Sequence, residues 1–177
     1  MDYAKRLSWL EDQSLLKAFQ LAETEDMISF SAGFPSSETY PLDAVKESMA
    51  RVIENQGEAA LSYCSTSGYS KLRQILIKRM SDKFDLDYAL DEIIITSGSQ
   101  QGLDMSGMLF VNEGDVVIFE EPSYLGAVNA LRAYQAELVS VPTDREGMEI
   151  PALRDIIEKY GKRVKMIYVN PDFQNPT

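Results

Sequence analysis

The sequence predicts a three-layer α/β/α fold built on a mostly parallel sheet and preceded by a helical N-terminal arm. Three observations carry that expectation. Four apolar runs, Ile93-Ile94-Ile95, Val116-Val117-Ile118-Phe119, Leu138-Val139-Ser140-Val141 and Lys165-Met166-Ile167-Tyr168-Val169, follow one another beyond residue 90. Helix-compatible segments separate them, over about 99–111, 124–134 and 151–160, each long enough for the right-handed crossover that parallel strands require. The runs are near-continuous rather than alternating, as expected of strands covered on both faces.

The elements ahead of this rhythm are less regular. Residues 2–21 carry Leu7, Leu10, Leu15, Leu16, Phe19 and Leu21 on an uneven apolar face, which suggests an arm of one or two short helices. Met27-Ile28-Ser29-Phe30-Ser31 reads as a short strand ended by Ala32-Gly33-Phe34-Pro35, and a polar loop leads to Pro41. From Asp43, a plausible N-cap, Val45, Met49, Val52 and Ile53 recur at helical spacing. A second helix after Gly68 groups Leu72, Ile75, Leu76 and Met80, with Lys71, Arg73, Lys78 and Arg79 read as a solvated face.

Composition narrows the chemistry. With 17 basic against 28 acidic residues the net charge is -11, which repels phosphate backbones and argues against nucleic-acid binding or a polybasic membrane patch. The single cysteine, Cys64, forms no internal disulfide, and no secretory leader pattern opens the chain, so the cytoplasm is the expected compartment. Histidine is absent, which removes every Ser/His/Asp or Cys/His triad and the commonest zinc ligand. No metal site is expected, and any reactive group must be borrowed.

Three stretches could host such a group. Ile95-Thr96-Ser97-Gly98-Ser99-Gln100-Gln101-Gly102 runs from a strand through a small-residue turn into a helix, where unpaired N–H groups and the helix dipole favour a phosphate. A tight βα turn without a ligand accounts for the same residues. Glu120-Glu121-Pro122-Ser123-Tyr124 follows the next strand, so Tyr124 falls at the same carboxyl edge of the sheet, where ligands bind. Its ring could stack on a flat heteroaromatic group or simply pack. Tyr168-Val169-Asn170-Pro171-Asp172-Phe173-Gln174-Asn175-Pro176-Thr177 follows another strand, with prolines dense enough to fix a loop. Two upstream loops, around Gly33 and around Tyr63-Cys64, complete the set; Cys64 has no neighbouring cation to activate it.

Taken in order, AGFP with a following YP, LSYCSTSGYSKLR, IIITSGSQQGLDM, EEPSYLGA and YVNPDFQNPT resemble the successive signatures of fold-type I, pyridoxal-phosphate-dependent class I/II aminotransferases, especially the aminoadipate and kynurenine aminotransferase branch. The resemblance implies the large domain of an aspartate aminotransferase-like fold, incomplete here, with an arm and substrate-side loop over 1–42 and a partial cofactor-binding domain over 43–177. It implies that the N–H groups of Ser99 and Gln100 hold the cofactor phosphate, Tyr124 stacks on the pyridine ring and Asn175 bonds its phenolic oxygen. Tyr63 would reach the phosphate of a neighbouring subunit and Gly33 would lie near the substrate carboxylate, making the protein a homodimer with shared sites. The substrates would be an amino acid and a 2-oxo acid. Cis bonds are implied at Glu121-Pro122 and Asn175-Pro176.

In this family a glycine follows Asn-Pro-Thr, and the Asp that pairs with the pyridine nitrogen, the covalently binding Lys and the carboxylate-gripping Arg all come later. None of Lys71, Lys78, Lys83, Lys159, Lys162 or Lys165 lies in the Ser/Thr-rich turn that such a lysine occupies. The chain therefore reads as an N-terminal portion with no catalytic residue of its own, inactive alone and binding pyridoxal phosphate weakly or not at all. The N-terminal region reads Asp12-Gln13-Ser14-Leu15-Leu16 where some members of the branch carry an arginine, so a dicarboxylate preference is not implied. Two alternatives stand beside the enzyme: the aminotransferase-like domain of a MocR-type regulator, and a degenerate, non-catalytic folded module.

Overall fold

The computed structural model describes Ala4, Arg6 and residues 35–177. The expected arm helices, the strand at Met27–Ser31 and the loop around Gly33 lie outside the described residues. The described part falls into two compact units, Ser97–Thr177 and residues 35–96.

In the Ser97–Thr177 unit, helix α3 (Ser99–Phe110), strand β1 (Val116–Glu121), helix α4 (Leu125–Arg132), strand β2 (Glu137–Asp144), the short strand β3 (Gly147–Met148), helix α5 (Ile150–Tyr160) and strand β4 (Val164–Tyr168) follow in order. The sheet order is β3-β2-β1-β4. Strand β1 pairs parallel with both β2 and β4, in registers that place Val116 opposite Glu137 and opposite Val164. Crossing from β1 through α4 leads to β2 on one side, and α5 then returns the chain to β4 on the other. The order therefore reverses at β1, and the crevice beyond its carboxyl end is where such sheets bind ligands.

Residues of β1 alternate between the two faces. Val117 and Phe119 pack with Val111, Ala127 and Leu131 under α3 and α4, whereas Val116 and Ile118 pack with Val141, Leu153 and Ile156 under α5. The central strand is thus covered on both sides, as its unbroken apolar run predicts. Cover thins toward β4, where Ile167 and the following Val169 stay 42% and 47% exposed. The sequence pattern misses β3, a two-residue antiparallel strand that folds back on Thr143 and Asp144. Its two residues are too few to show periodicity.

Residues 35–96 form helices α1 (Leu42–Ala60) and α2 (Ser70–Phe84) with short 3-10 turns at Ser37–Thr39 and Leu90–Glu92. Helix α1 begins one residue before Asp43 with Pro41 as its cap, so Asp43 sits in the first turn rather than capping it. There its carboxylate still favours the positive end of the helix dipole. The helix kinks at Gln56, whose side chain accepts a hydrogen bond from the Tyr69 hydroxyl at 3.2 Å. Two further expectations fail in this unit. Ile93-Ile94-Ile95 is not a strand, because Ile95 N–H bonds singly to Ser67 O at 3.0 Å and no ladder forms beside it. Arg73 is not solvated either: it is 6% exposed, with a guanidinium N–H donating to Leu90 O. That bond fastens α2 to the turn at Leu90–Glu92.

Candidate functional site

Helix α3 opens on Gly98, whose φ of 85° and ψ of 169° lie in a region open essentially to glycine alone. An added Cβ there would meet no atom within 4 Å, so backbone strain rather than a clash reserves the position for glycine. Before it, Ser97 N–H donates to the Gln101 side chain at 2.5 Å. Ser99 and Gln100 supply first-turn N–H groups, which have no carbonyl to bond within the helix and lie at the positive end of its dipole.

Tyr124 caps helix α4 and folds its ring back over Gly126, where an added Cβ would come within 2.4 Å of the ring. The absent side chain at Gly126 is what seats the aromatic. Gln100 reaches across to the same point, its side-chain amide donating to Gly126 O at 3.1 Å, and so ties the start of α3 to the start of α4. The peptide bonds Glu121-Pro122 and Asn175-Pro176 are both cis, as the resemblance implies.

Ser99, Tyr124 and Asn175 line one pocket of about 350 Å³ at the carboxyl edge of the sheet, together with Leu103, Tyr168 and Asn170. Tyr168 and Asn170 lie in the third stretch that the sequence offers, where neither was given a role of its own, and Leu103 lies within α3. Burial raises the Tyr168 phenol above its ordinary value, helped by Tyr124 and by the Glu120 carboxylate. Gln100 is not among the lining side chains. Tyr63 belongs to the residues 35–96 unit, where its ring is fully exposed, and Gly33 lies outside the described residues.

The donor set suits a flat, phosphate-bearing heteroaromatic. Helix-start amides suit a dianion, an aromatic face suits a planar ring, and a carboxamide can donate to an anionic oxygen. Ser123 adds a buried hydroxyl without a hydrogen-bond partner one residue from Tyr124. Among the described residues no cluster of metal-ligating side chains occurs, and no helix is long and apolar enough to cross a membrane.

Comparison with known proteins agrees with this arrangement. The family described as Aminotransferase class I and II matches residues 25–177. Aromatic-amino-acid aminotransferase 1 of Thermococcus litoralis is 38% identical over 99% of this chain and 44% of its own length. The 2-aminoadipate transaminase of Thermus thermophilus is 33% identical over 99% of this chain and 42% of its own. Among solved structures, a kynurenine aminotransferase of Pyrococcus horikoshii in complex with PMP superposes with a TM-score of 0.89 at 34% identity, over 99% of this chain and 44% of that one. A more distant relative, the probable rhizopine catabolism regulatory protein MocR of Rhizobium meliloti, is 26% identical over 85% of this chain and 29% of its own length. The chain spans less than half the length of the curated relatives it matches. With the sheet, the phosphate-type turn and the carboxyl-edge pocket in the expected order, the chain belongs to the class I and II aminotransferase family.

Proposed function

We propose that this chain forms the cofactor-positioning part of a pyridoxal-phosphate-dependent aminotransferase, which moves an amino group from an amino acid to a 2-oxo acid. The observation that supports the reading is the shared pocket of Ser99, Tyr124 and Asn175 at the carboxyl edge of the sheet. Pyridoxal phosphate, when bound, supplies the electron sink that the transfer requires. Ser99 and Gln100 hold its phosphate through backbone N–H groups, Tyr124 covers one face of its ring, and the Asn175 carboxamide donates to its phenolic oxygen. Tyr63 serves the phosphate of a neighbouring subunit in a homodimer with shared sites, and Gly33 lies by the substrate carboxylate. In the complete enzyme a lysine is the base that moves the proton; these 177 residues alone bind the cofactor weakly or not at all and turn nothing over.

Equilibrium dialysis against pyridoxal phosphate tests the cradle: any saturable binding is expected to be weak and to be reduced by Tyr124→Ala and by Asn175→Ala. Binding indifferent to both substitutions would remove the assignment. Amino-acid turnover by the 177 residues alone would refute their inactivity. A second reading draws on the MocR relative, in which the same cradle serves a regulator. A winged-helix region encoded upstream of Met1 would favour it, whereas transaminase activity of the protein that carries this chain would favour the enzyme.

A further inference from the structure

The segment after β4 carries Asn175 but has no regular structure, and Phe173 within it is fully exposed with a φ of 53°. No ladder sets its course. Two ties do. The Gln174 side-chain amide donates to Pro122 O at 2.7 Å, while its oxygen accepts from the Thr177 N–H at 2.9 Å and from the Thr177 hydroxyl at 2.5 Å. Ahead of it, Glu120 Oε2 accepts from the Asn170 N–H at 2.9 Å, and Glu120 is only 6% exposed.

These ties hold the chain at Asn170 and at Gln174, immediately ahead of Asn175, and both end on the stretch Glu120 to Pro122, which leads directly to Tyr124. Burying a carboxylate costs desolvation energy that an apolar residue would avoid, so stability alone does not account for a glutamate at the end of the central strand. Neither Glu120 nor Gln174 lines the pocket that holds Tyr124 and Asn175. From these contacts we infer that Glu120 and Gln174 are positioning residues, which fix the Asn175 loop against the Tyr124 turn so that a planar ring meets a preformed slot. Holding the loop before binding removes the ordering cost that a free loop would impose on the ligand. The inference rests on the reading that this pocket takes pyridoxal phosphate.

The test uses two probes on the whole chain by equilibrium dialysis. The first is deoxypyridoxine phosphate, which has a methyl group in place of the aldehyde and so cannot react with surface lysines. The second is inorganic phosphate, which needs only the turn at the start of α3. Gln174→Ala and Glu120→Ala are each expected to weaken the first probe about tenfold, equivalent to about 1.4 kcal/mol, and to leave the second unchanged. Glu120→Gln keeps an oxygen for the Asn170 N–H and is expected to recover most of the affinity. Unchanged affinity of both alanine variants for the first probe would overturn the inference while leaving the cofactor reading intact. Parallel loss of both probes would also overturn it, by showing a general structural defect. Failure of the unaltered chain to bind the first probe would overturn the inference, since no preformed slot would then exist in it, while leaving the cofactor reading to the protein that carries this chain. Should Glu120→Ala not fold, Gln174→Ala, in a surface loop, decides the matter alone.

Discussion

Gly98 and Arg163 show how single residues divide the work of the sheet-centred unit. Gly98 occupies backbone space that costs other residues about 1–3 kcal/mol, so Gly98→Ala is expected to lower the urea midpoint and to weaken inorganic phosphate binding together. Arg163 sits at the other edge. Its guanidinium donates to Gly114 O at 2.7 Å and pairs with Glu137 at 2.5 Å, joining the lead into β1, the start of β2 and the approach to β4. Glu137 is held below its ordinary value of 4.5, first by the Tyr160 hydroxyl and then by Arg163. A lowered carboxylate adds stability above its unfolded value, and that stability is lost as pH falls through the lower folded value. Arg163→Met is therefore expected to unfold earlier than the parent in urea at neutral pH, with the gap narrowing as Glu137 is protonated in acid but not closing, because the bonds to Gly114 O do not titrate. A gap independent of pH would show that the pair with Glu137 adds nothing. At this scale the sequence was informative where a segment follows a strand: Tyr124 and the Asn175 loop come after β1 and β4, whose carboxyl ends share an edge, and one pocket brings both together with Ser99 although no strand precedes that residue. The ties of Gln174 and Glu120 were not legible, since hydrogen bonds across 52 and 50 residues leave no local pattern.

Between elements, the contact of α3 with α4 depends on an absent side chain. Gly107 is buried in the middle of α3, and a Cβ there would lie 2.5 Å from the Tyr134 ring and 3.2 Å from Leu131. The ring cannot swing aside freely, because its hydroxyl donates to Asp104 at 2.8 Å. Gly107→Ala gains about 1 kcal/mol of helix propensity but meets an overpacking cost of about 1–3 kcal/mol, so net destabilisation is expected by chemical denaturation. An alanine variant as stable as the parent would mean that the ring moves at the expense of its bond to Asp104. The helices and principal strands of the Ser97–Thr177 unit were readable to within a few residues, because apolar runs and crossover lengths are local properties. Ile93-Ile94-Ile95 has the same composition yet forms no strand, since a strand exists only with a partner to complete its ladder. Likewise Arg73 looks like a surface residue in the α2 pattern, and only the approach of Leu90 O to its guanidinium buries it.

For the whole molecule, the chain leaves much apolar surface in water: along α1, Val45, Met49, Val52 and Ile53 are all exposed, as are Ile167 and Val169 at the β4 edge. Association of the isolated chain is expected in sedimentation velocity, and a monomer persisting at high protein concentration would contradict it. The parallel arrangement about β1 has a further consequence, because it gives the sheet a direction. Asn170, Pro122 and Tyr124 gather at the carboxyl ends of the strands, while Gly114, Glu137 and Arg163 gather at the amino ends. A saturating mutational scan should therefore separate into two maps, one in which ligand affinity falls while the melting point holds, and one in which the reverse occurs. Changes of the first kind would be free to alter what the pocket accepts without loosening the frame, which gives this half of the fold room to diverge in specificity.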